Sequence, residues 1–287
     1  MPPDCPTDGG VAFFTRILNF KRDLLGRLRE QRTQTRYRVG ADFPLLVTVA
    51  LSGDGSAPGC DWNGRVSDLS AGGLSVRLPP AAATARNEAT TARISLEGHE
   101  LAIPCAVAHF RIHPAHALCG LRLEFGDFAV QKAWHQIVEA VSLGASFTPV
   151  DGNQTPSVST GPARRKWRSL KQARLTEWRE NGSRKPDRFE LILEEYQIEG
   201  RLAEPGLAIS SRTNPGKAVS PTVESEVRQL FCWVVANMPA TVPADLREFM
   251  HRAATVPAAS TGSTSRSPAA KPPSEWLPPK RPARDPA

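Results

Sequence analysis

Between residues 45 and 125 the sequence is a series of short apolar runs separated by turn residues. In residues 74–78 apolar and polar side chains alternate, which is the period of a half-buried strand. The other strand-like runs are Leu45–Leu51, Ala92–Leu96, Leu101–Ile112 and Leu118–Phe125. Several short strands joined by turns favour a barrel or a sandwich. We therefore expect a mainly β domain over residues 31–147.

A helix is predicted to close this domain, because apolar residues recur at helical spacing after the last strand. The stripe consists of Val130, Trp134, Ile137, Val138 and Val141. Such a stripe must be buried against another element, and the β domain is the nearest candidate. We expect residues 1–147 to fold and bind a ligand without the rest of the chain.

The flanking segments differ from this domain in composition. Residues 1–30 are predicted to be an N-terminal amphipathic helix segment, and residues 148–163, rich in Gly, Ser, Thr and Pro, a flexible linker. Residues 164–255 are predicted to be mostly helical and of unknown role, with a basic helix over Lys166–Arg179 and another starting at Ser220-Pro221. Residues 256–287 form a Pro/Ala/Ser-rich basic tail that is expected to be disordered. The pattern of Phe189–Ile198 fits a helix and a strand equally.

Several classes of protein are disfavoured by the composition. No apolar run approaches the roughly 18–20 residues of a membrane span, and charges interrupt the apolar residues near the start. The five cysteines include no C-x-x-C pair, and the histidines at 109, 113 and 116 have no interleaved carboxylate. No catalytic motif is found. We expect a cytoplasmic, non-enzymatic protein without a metal or a cofactor.

The net charge of +7 is distributed unevenly along the chain. Residues 1–38 and 151–287 contain more Lys and Arg than Asp and Glu, whereas residues 39–150 contain fewer. A basic balance raises the prior for partners that carry phosphate groups, without identifying them.

Two short motifs flank the first predicted strand. Residues 32–36 read Arg-Thr-Gln-Thr-Arg and place two arginines four positions apart in a loop before that strand. Residues 68–73 read Asp-Leu-Ser-Ala-Gly-Gly at a turn between strands. Either motif alone predicts little, because Asp, Ser and Gly are common turn residues and arginine is common on basic surfaces. The pair, in this order and next to strands, predicts a binding site.

Together the motifs resemble the two-part signature of PilZ domains. Arg36–Val39 followed by Phe43–Leu45 is similar to the family's entry into its first strand, and Gly120–Phe125 is similar to a late strand. The resemblance covers about residues 31–145. It implies a six-stranded antiparallel PilZ-like β-barrel with a closing α-helix. It also implies a receptor for the bacterial second messenger cyclic di-GMP rather than an enzyme.

The residue types in the motifs suit that ligand, which offers two phosphates and two guanine bases. The planar guanidinium of arginine fits phosphate oxygens and the O6/N7 edge of guanine, and it stacks on bases. A carboxylate can accept hydrogen bonds from the opposite edge of guanine, and glycine permits positive φ and close approach. By resemblance, the ligand-binding residues are Arg32, Arg36, Asp68, Ser70 and Gly73.

The predicted function is a cyclic di-GMP effector that changes its contacts with a protein partner of unknown identity. The alternative is a ligand-independent PilZ-like interaction protein, or a nucleic-acid-binding protein that works through the basic C-terminal half. We do not favour contact of the basic arms with nucleic acid or with a membrane surface, because tryptophans at helical spacing, such as Trp167 and Trp178, more often pack in a core.

Overall fold

Thirteen strands and three helices make up the part of the chain that the structure describes. The structure is a computed structural model, and it describes residues 13–18, 35–53, 58–150, 163–180, 183, 185–215 and 217–256. The strands of the N-terminal part are β1 (Tyr37–Arg38), β2 (Leu45–Gly53), β3 (Pro58–Ser70), β4 (Gly73–Leu78), β5 (Ala89–Leu96), β6 (His99–His113) and β7 (His116–Leu123). The remaining strands are β8 (Thr148–Pro149), β9 (Ala163–Arg168), β10 (Arg174–Arg179), β11 (Arg188–Leu193), β12 (Tyr196–Arg201) and β13 (Glu204–Ser211). The helices are α1 (Phe128–Ala145), α2 (Pro221–Ala236) and α3 (Ala244–Thr255).

The N-terminal strands form a closed antiparallel barrel, as predicted. Its strand order is β3-β2-β5-β6-β7-β4, and the pairing of β4 with β3 closes it. Strand β1 lies outside the barrel and pairs only with β3. Alternate residues of each strand point inward, so that Val47, Val49, Ile94, Ile103 and Val76 are fully buried. This alternation is the period-2 pattern visible in the sequence.

Helix α1 closes the barrel, as its apolar stripe predicted. Trp134, Ile137 and Val141 are completely buried. The indole Nε1 of Trp134 donates a hydrogen bond to the backbone carbonyl of Ser70 at 3.1 Å. A buried indole N–H needs such a partner, and here the partner belongs to the turn between β3 and β4. The helix is therefore fixed to the barrel at the second sequence motif.

A second antiparallel sheet follows, with strand order β13-β12-β11-β10-β9-β8. The prediction of a helix over Lys166–Arg179 was wrong, because this segment forms most of β9 and β10. The prediction of a mostly helical C-terminal region was therefore wrong for its first half. Phe189–Ile198, which fitted either type of element, is β11 and the start of β12.

An ion pair on the inward side of β10 interrupts the alternation of apolar and polar residues that would have predicted a strand. Glu177 is completely buried and lies 2.6 Å from Arg179, whose guanidinium also contacts Asp245 of α3 at 2.9 Å. These charged residues occupy positions where period-2 alternation would place apolar side chains. Trp167, Leu170, Leu175 and Trp178 have the spacing of one helix face, which is the pattern that predicted a helix here. Leu170 instead lies in the β9–β10 turn and is 79% exposed.

The two C-terminal helices cover the inner face of the second sheet, and the helix start predicted at Ser220-Pro221 is confirmed. Helix α2 begins at Pro221 after Ser220. The ring of Phe189 lies 5.9 Å from that of Phe231 on α2 and 5.3 Å from that of Phe249 on α3. No helix among the described residues is long and apolar enough to span a membrane.

Other predicted segments fall mainly outside the described residues. Of the predicted N-terminal helix, only residues 13–18 are described, and these form bends. The predicted linker contributes β8 at its start, and residues 151–162 lie outside the description. The tail beyond Val256 also lies outside it. The domain boundaries and the independent folding of residues 1–147 stay predictions.

Residues 13–18 are held between α1 and α2. Phe14 is fully buried, and its ring lies 5.1 Å from that of Trp233 on α2. The side-chain amide of Gln136 on α1 donates to the carbonyl of Phe14 at 2.8 Å and accepts from its N–H at 3.2 Å. The N-terminal segment thus connects the closing helix of the barrel to the C-terminal half.

The carboxylate of Glu226 on α2 accepts four hydrogen bonds from this segment. Three come from the backbone N–H groups of Thr15, Arg16 and Ile17, at 3.0, 3.0 and 3.1 Å, and one from the Thr15 hydroxyl at 2.6 Å. Burial alone would raise the pKa of this carboxyl, but these hydrogen bonds outweigh it and hold the pKa below its usual value.

We expect Glu226→Gln to lower the free energy of unfolding by roughly 1–3 kcal/mol at neutral pH. The reason is that the amide N–H groups of glutamine would face N–H and O–H donors that now bond to the carboxylate. Because the folded-state pKa is lowered, the carboxylate stabilises the fold above its unfolded-state pKa of about 4.3. That contribution is lost as the pH falls through the folded-state value. Urea unfolding gives the free energy of unfolding of the variant and of the native chain. The difference between the two should be smaller at about pH 3 than at neutral pH. Glu248→Gln, on the exposed side of α3, is the control and should change stability little.

Candidate functional site

A β-bulge in β3 turns the side chain of Asp68 to the outside of the barrel. The register between β3 and β4 shifts between Val66 and Asp68, which leaves Ser67 as the extra residue. Val66 and Leu69 are consequently both buried, although residues three positions apart face opposite sides of a regular strand. Without the bulge, either Asp68 or one of these apolar residues would face the wrong side.

Asp68 is the centre of a hydrogen-bonded cluster on this outer face. Its Oδ1 accepts from Nη1 of Arg36 at 2.7 Å and from the hydroxyl of Ser75 at 3.0 Å. The same Nη1 lies 2.8 Å from the Ser75 hydroxyl oxygen. Oδ2 accepts from the hydroxyl of Ser67 at 3.1 Å. The two sequence motifs therefore meet, with Arg36 from the first in contact with Asp68 from the second.

The cluster retains hydrogen-bonding capacity toward solvent. The side chains of Arg36 and Asp68 are 45% and 27% exposed. A guanidinium has five N–H donors and an ionised carboxylate about four acceptor sites. The hydrogen bonds above use only one nitrogen of Arg36. The cluster thus positions both side chains without saturating them, and it can meet a phosphate or a guanine edge.

Ser70 and Gly73 form the ends of the β3–β4 turn beside the cluster. The Ser70 side chain is buried, and its hydroxyl donates to the carbonyl of Gly73 at 3.3 Å. Its described role is therefore to close the turn. Gly73 does not use positive φ, contrary to the expectation for this turn. A Cβ at Gly73 would lie 2.5 Å from the carbonyl oxygen of Leu121 on β7, so close strand approach explains this glycine.

Three arginines that were not predicted as site residues line a cavity of about 450 Å³ next to the cluster. They are Arg38, Arg65 and Arg77, and Ser67 lines the same cavity. Ligand pockets have volumes of roughly 300–1,000 Å³. Arg65 and Arg77 are direct cross-strand partners. Among the described ion pairs none involves these three arginines. Asp42 lines the same cavity, so the charged lining residues are three arginines and one carboxylate, with a positive balance.

The late strand β7 borders the cluster on the other side of β4. Gly120 is the cross-strand partner of Ser75, and Arg122 is that of Gly73. A side chain at Gly120 would collide with the imidazole of His109, which lies over it from β6. Arg122 is exposed and lies 3.4 Å from Glu124. The Gly-x-Arg sequence of β7 is therefore adjacent to both motifs.

The sequence identified part of this site. Arg36 and Asp68 lie together, Ser70 and Gly73 form the adjoining turn, and Arg32 lies outside the described residues. Ser75 was missed because its contact with Asp68 depends on the bulge register. The cavity arginines were missed because strand arginines facing outward look like ordinary solvated charges. The one available signal was the run of polar residues at outward positions of β4.

The barrel segment matches the model of a known family. Residues 29–140 match the PilZ domain family, which confirms the resemblance that the two sequence motifs carried.

Two solved structures with low sequence identity are also similar to this part. The PilZ domain of YcgR from Escherichia coli with c-di-GMP is 13% identical, with 39% of this chain and 91% of that chain covered and a TM-score of 0.32. The PilZ domain of CeSA from a cellulose-synthesizing bacterium is 19% identical, with 37% and 97% covered and a TM-score of 0.28. No curated protein matches the chain.

We expect Gly73→Ala to destabilise the barrel by about 1–3 kcal/mol, because the added methyl group forces β4 away from β7. Gly126→Ala is the matched control, since a Cβ there meets nothing within 4 Å and its φ is not positive. The control should be neutral or slightly stabilising. Thermal unfolding of both variants measures the difference. Equal melting temperatures would show that the strands accommodate a side chain at residue 73.

Proposed function

We propose that the PilZ domain binds cyclic di-GMP through Arg32, Arg36, Asp68, Ser70 and Gly73, with Ser75 as an additional residue of the site. The observation that carries the proposal is the Arg36–Asp68–Ser75 cluster next to a cavity walled by arginines. The cluster pre-orients a guanidinium and a carboxylate, which reduces the entropy lost when a ligand binds. The turn of Ser70 and Gly73 contributes backbone and shape rather than a free hydroxyl.

The cavity arginines support a ligand with more than one negative charge. Like charges directly opposite each other destabilise an antiparallel pair, and Arg65 and Arg77 are such a pair. A phosphate between them replaces this repulsion with charge-assisted hydrogen bonds. Cyclic di-GMP carries two phosphates, so one can bind at Arg36 and the other at the cavity arginines.

Asp68 has two roles in this proposal. Its Oδ1 orients Arg36 and Ser75, while Oδ2 accepts only the Ser67 hydroxyl among the hydrogen bonds described above. The free acceptor capacity of Oδ2 suits the N1–H and amino group of guanine, which adenine lacks in this arrangement. Guanine is therefore the base that this carboxylate favours.

The N-terminal segment provides a physical connection from this site to the C-terminal half. Sixteen residues join Leu18, which is buried against the helices, to Thr35, which precedes Arg36. Gly40, two residues after Arg38, donates its N–H to the side chain of Asn237 at the end of α2 at 2.8 Å. We include in the proposal that ligand contacts at Arg32 and Arg36 alter the contact of residues 13–18 with Glu226, and so the surface offered to a protein partner. The change is limited by the difference in ligand affinity between the two states.

We expect Arg36→Ala to weaken cyclic di-GMP binding at least about tenfold, since a hydrogen bond to a charged group contributes about 1.5–3 kcal/mol. Arg93→Ala is the control, because Arg93 forms an ion pair with Asp61 on the same barrel, more exposed than that of Arg36 with Asp68. Titration calorimetry of the full chain measures both affinities, with circular dichroism as the check on folding. An affinity for the Arg36 variant equal to that of the control would remove Arg36 from the site.

Arg32→Lys gives a second test of the same site. Lysine retains the charge but lacks the planar guanidinium, so the affinity should fall nearly as far as with alanine. If the lysine variant retains most of the affinity, the contact is a simple charge attraction. Absence of binding by the native chain would favour the ligand-independent alternative.

We expect cyclic di-GMP to change the amide hydrogen exchange of Thr15, Arg16 and Ile17. These N–H groups are bonded to Glu226, and local exchange reports the opening of such contacts. Exchange measured with and without ligand, in the native chain and in Arg36→Ala, tests the coupling. Calorimetric binding that leaves the exchange of these amides unchanged would disprove the coupling and leave the binding site intact.

A further inference from the structure

The second sheet presents one face to the helices and the other to solvent. Trp167, Leu175 and Phe189 point inward, where they are buried. Strand alternation therefore places their neighbours on the opposite face. On β9 and β10 the outward residues are Arg164, Lys166, Arg168, Arg174, Thr176 and Trp178. Three of them are exposed arginines, Arg164, Arg168 and Arg174, and we call these three the basic face.

The carboxylates of the same sheet are concentrated on β11 and β12 and are already engaged. Glu199 lies 2.9 Å from Arg188 and 3.7 Å from Arg201. Glu190 accepts from the side-chain amide of Gln197 at 3.0 Å. In contrast, no described ion pair involves Arg164, Arg168 or Arg174. The positive charge of the basic face is therefore not neutralised within the sheet.

An aromatic ring stands among these cations. Trp178 on β10 is the cross-strand partner of Arg164 on β9 and of Arg188 on β11. The guanidinium carbon of Arg164 lies 5.3 Å from the centroid of the Trp178 ring, and that of Arg188 lies 4.7 Å from it. Cation–π contacts of this kind hold the guanidinium groups over the ring, and that of Arg188 is fixed further by its hydrogen bond to Glu199. The result is a planar stack that flat, anionic ligands can extend.

We propose that the basic face binds single-stranded nucleic acid. Outward residues along β9 are separated by about 6.6 Å, two residues at about 3.3 Å each, and they form a row of cations across an open sheet. Proteins bind single strands by combining a basic track for the phosphates with planar side chains on which bases stack. The Arg164–Trp178–Arg188 stack at one end of the row provides the planar part. The flat shape suits a strand with unpaired bases better than a duplex, whose bases are not accessible for stacking.

The charge pattern also distinguishes this partner from other candidates. A membrane surface requires an apolar side of the contact, and the outward residues of β9 and β10 other than Trp178 are charged or polar. The single strongly exposed apolar side chain nearby, Leu170, lies in the turn at the opposite end from Trp178.

Fluorescence anisotropy of a labelled twenty-nucleotide oligo(dT) with the full chain tests the proposal. The test variant carries Arg164→Gln, Arg168→Gln and Arg174→Gln. The control variant carries Arg86→Gln, Arg111→Gln and Arg252→Gln, three exposed arginines elsewhere that change the net charge equally. We expect at least about tenfold weaker binding for the test variant and a change below about twofold for the control.

Salt dependence gives a second measurement. For single strands, log K falls with log salt with a slope of about −0.7 for each phosphate contact, so removal of the three arginines should make the slope shallower by about 2. Equal loss in both variants would show that only net charge matters and overturn the proposal. A duplex that binds as tightly as the single strand would also overturn it. Binding to phosphatidylserine vesicles that the test variant loses, without binding to the oligonucleotide, would overturn it as well.

Discussion

The extra residue in β3 determines whether the candidate site can form on this barrel. Val66 and Leu69 both belong to the core, and the bulge at Ser67 is the means by which both reach it. The same insertion brings Asp68 opposite Ser75 and within 2.7 Å of Arg36. Core packing and site geometry thus depend on one local irregularity, so apolar burial itself holds the carboxylate in position. Bulges are commonly found next to functional sites for this reason.

Net charge and local charge differ within the barrel. Residues 39–150 contain more acidic than basic residues, yet the cavity beside Asp68 is walled by Arg38, Arg65 and Arg77. Strand pairing achieves this, because it brings residues distant in sequence into direct opposition. The electrostatic potential that a ligand encounters is therefore a property of the register. The basic face of the second sheet arises in the same way, from two adjacent strands.

The sequence was most informative where side-chain alternation was regular. The barrel strands, α1 and the start of α2 were predicted because apolar residues mark their buried faces. The β9–β10 hairpin was not, because Glu177 and Arg179 occupy inward positions as an ion pair. The site shows the same limit. Arg36 and Asp68 lie in recognisable motifs, whereas Ser75 and the cavity arginines join the site only through the bulge and the pairing of β3 with β4.

The last turns of helix α2 pack directly against the backbone of two glycines, Gly40 and Gly144. A Cβ at Gly40, just after β1, or at Gly144, near the end of α1, would collide with backbone atoms in the last turns of α2. Glu226 at the other end of α2 holds residues 15–17. The unit that can be exchanged between proteins is consequently larger than the barrel. A chimera that joins this barrel to a different output module must carry residues 221–237 with it. Otherwise the new module must supply a helix that packs equally close to Gly40 and Gly144.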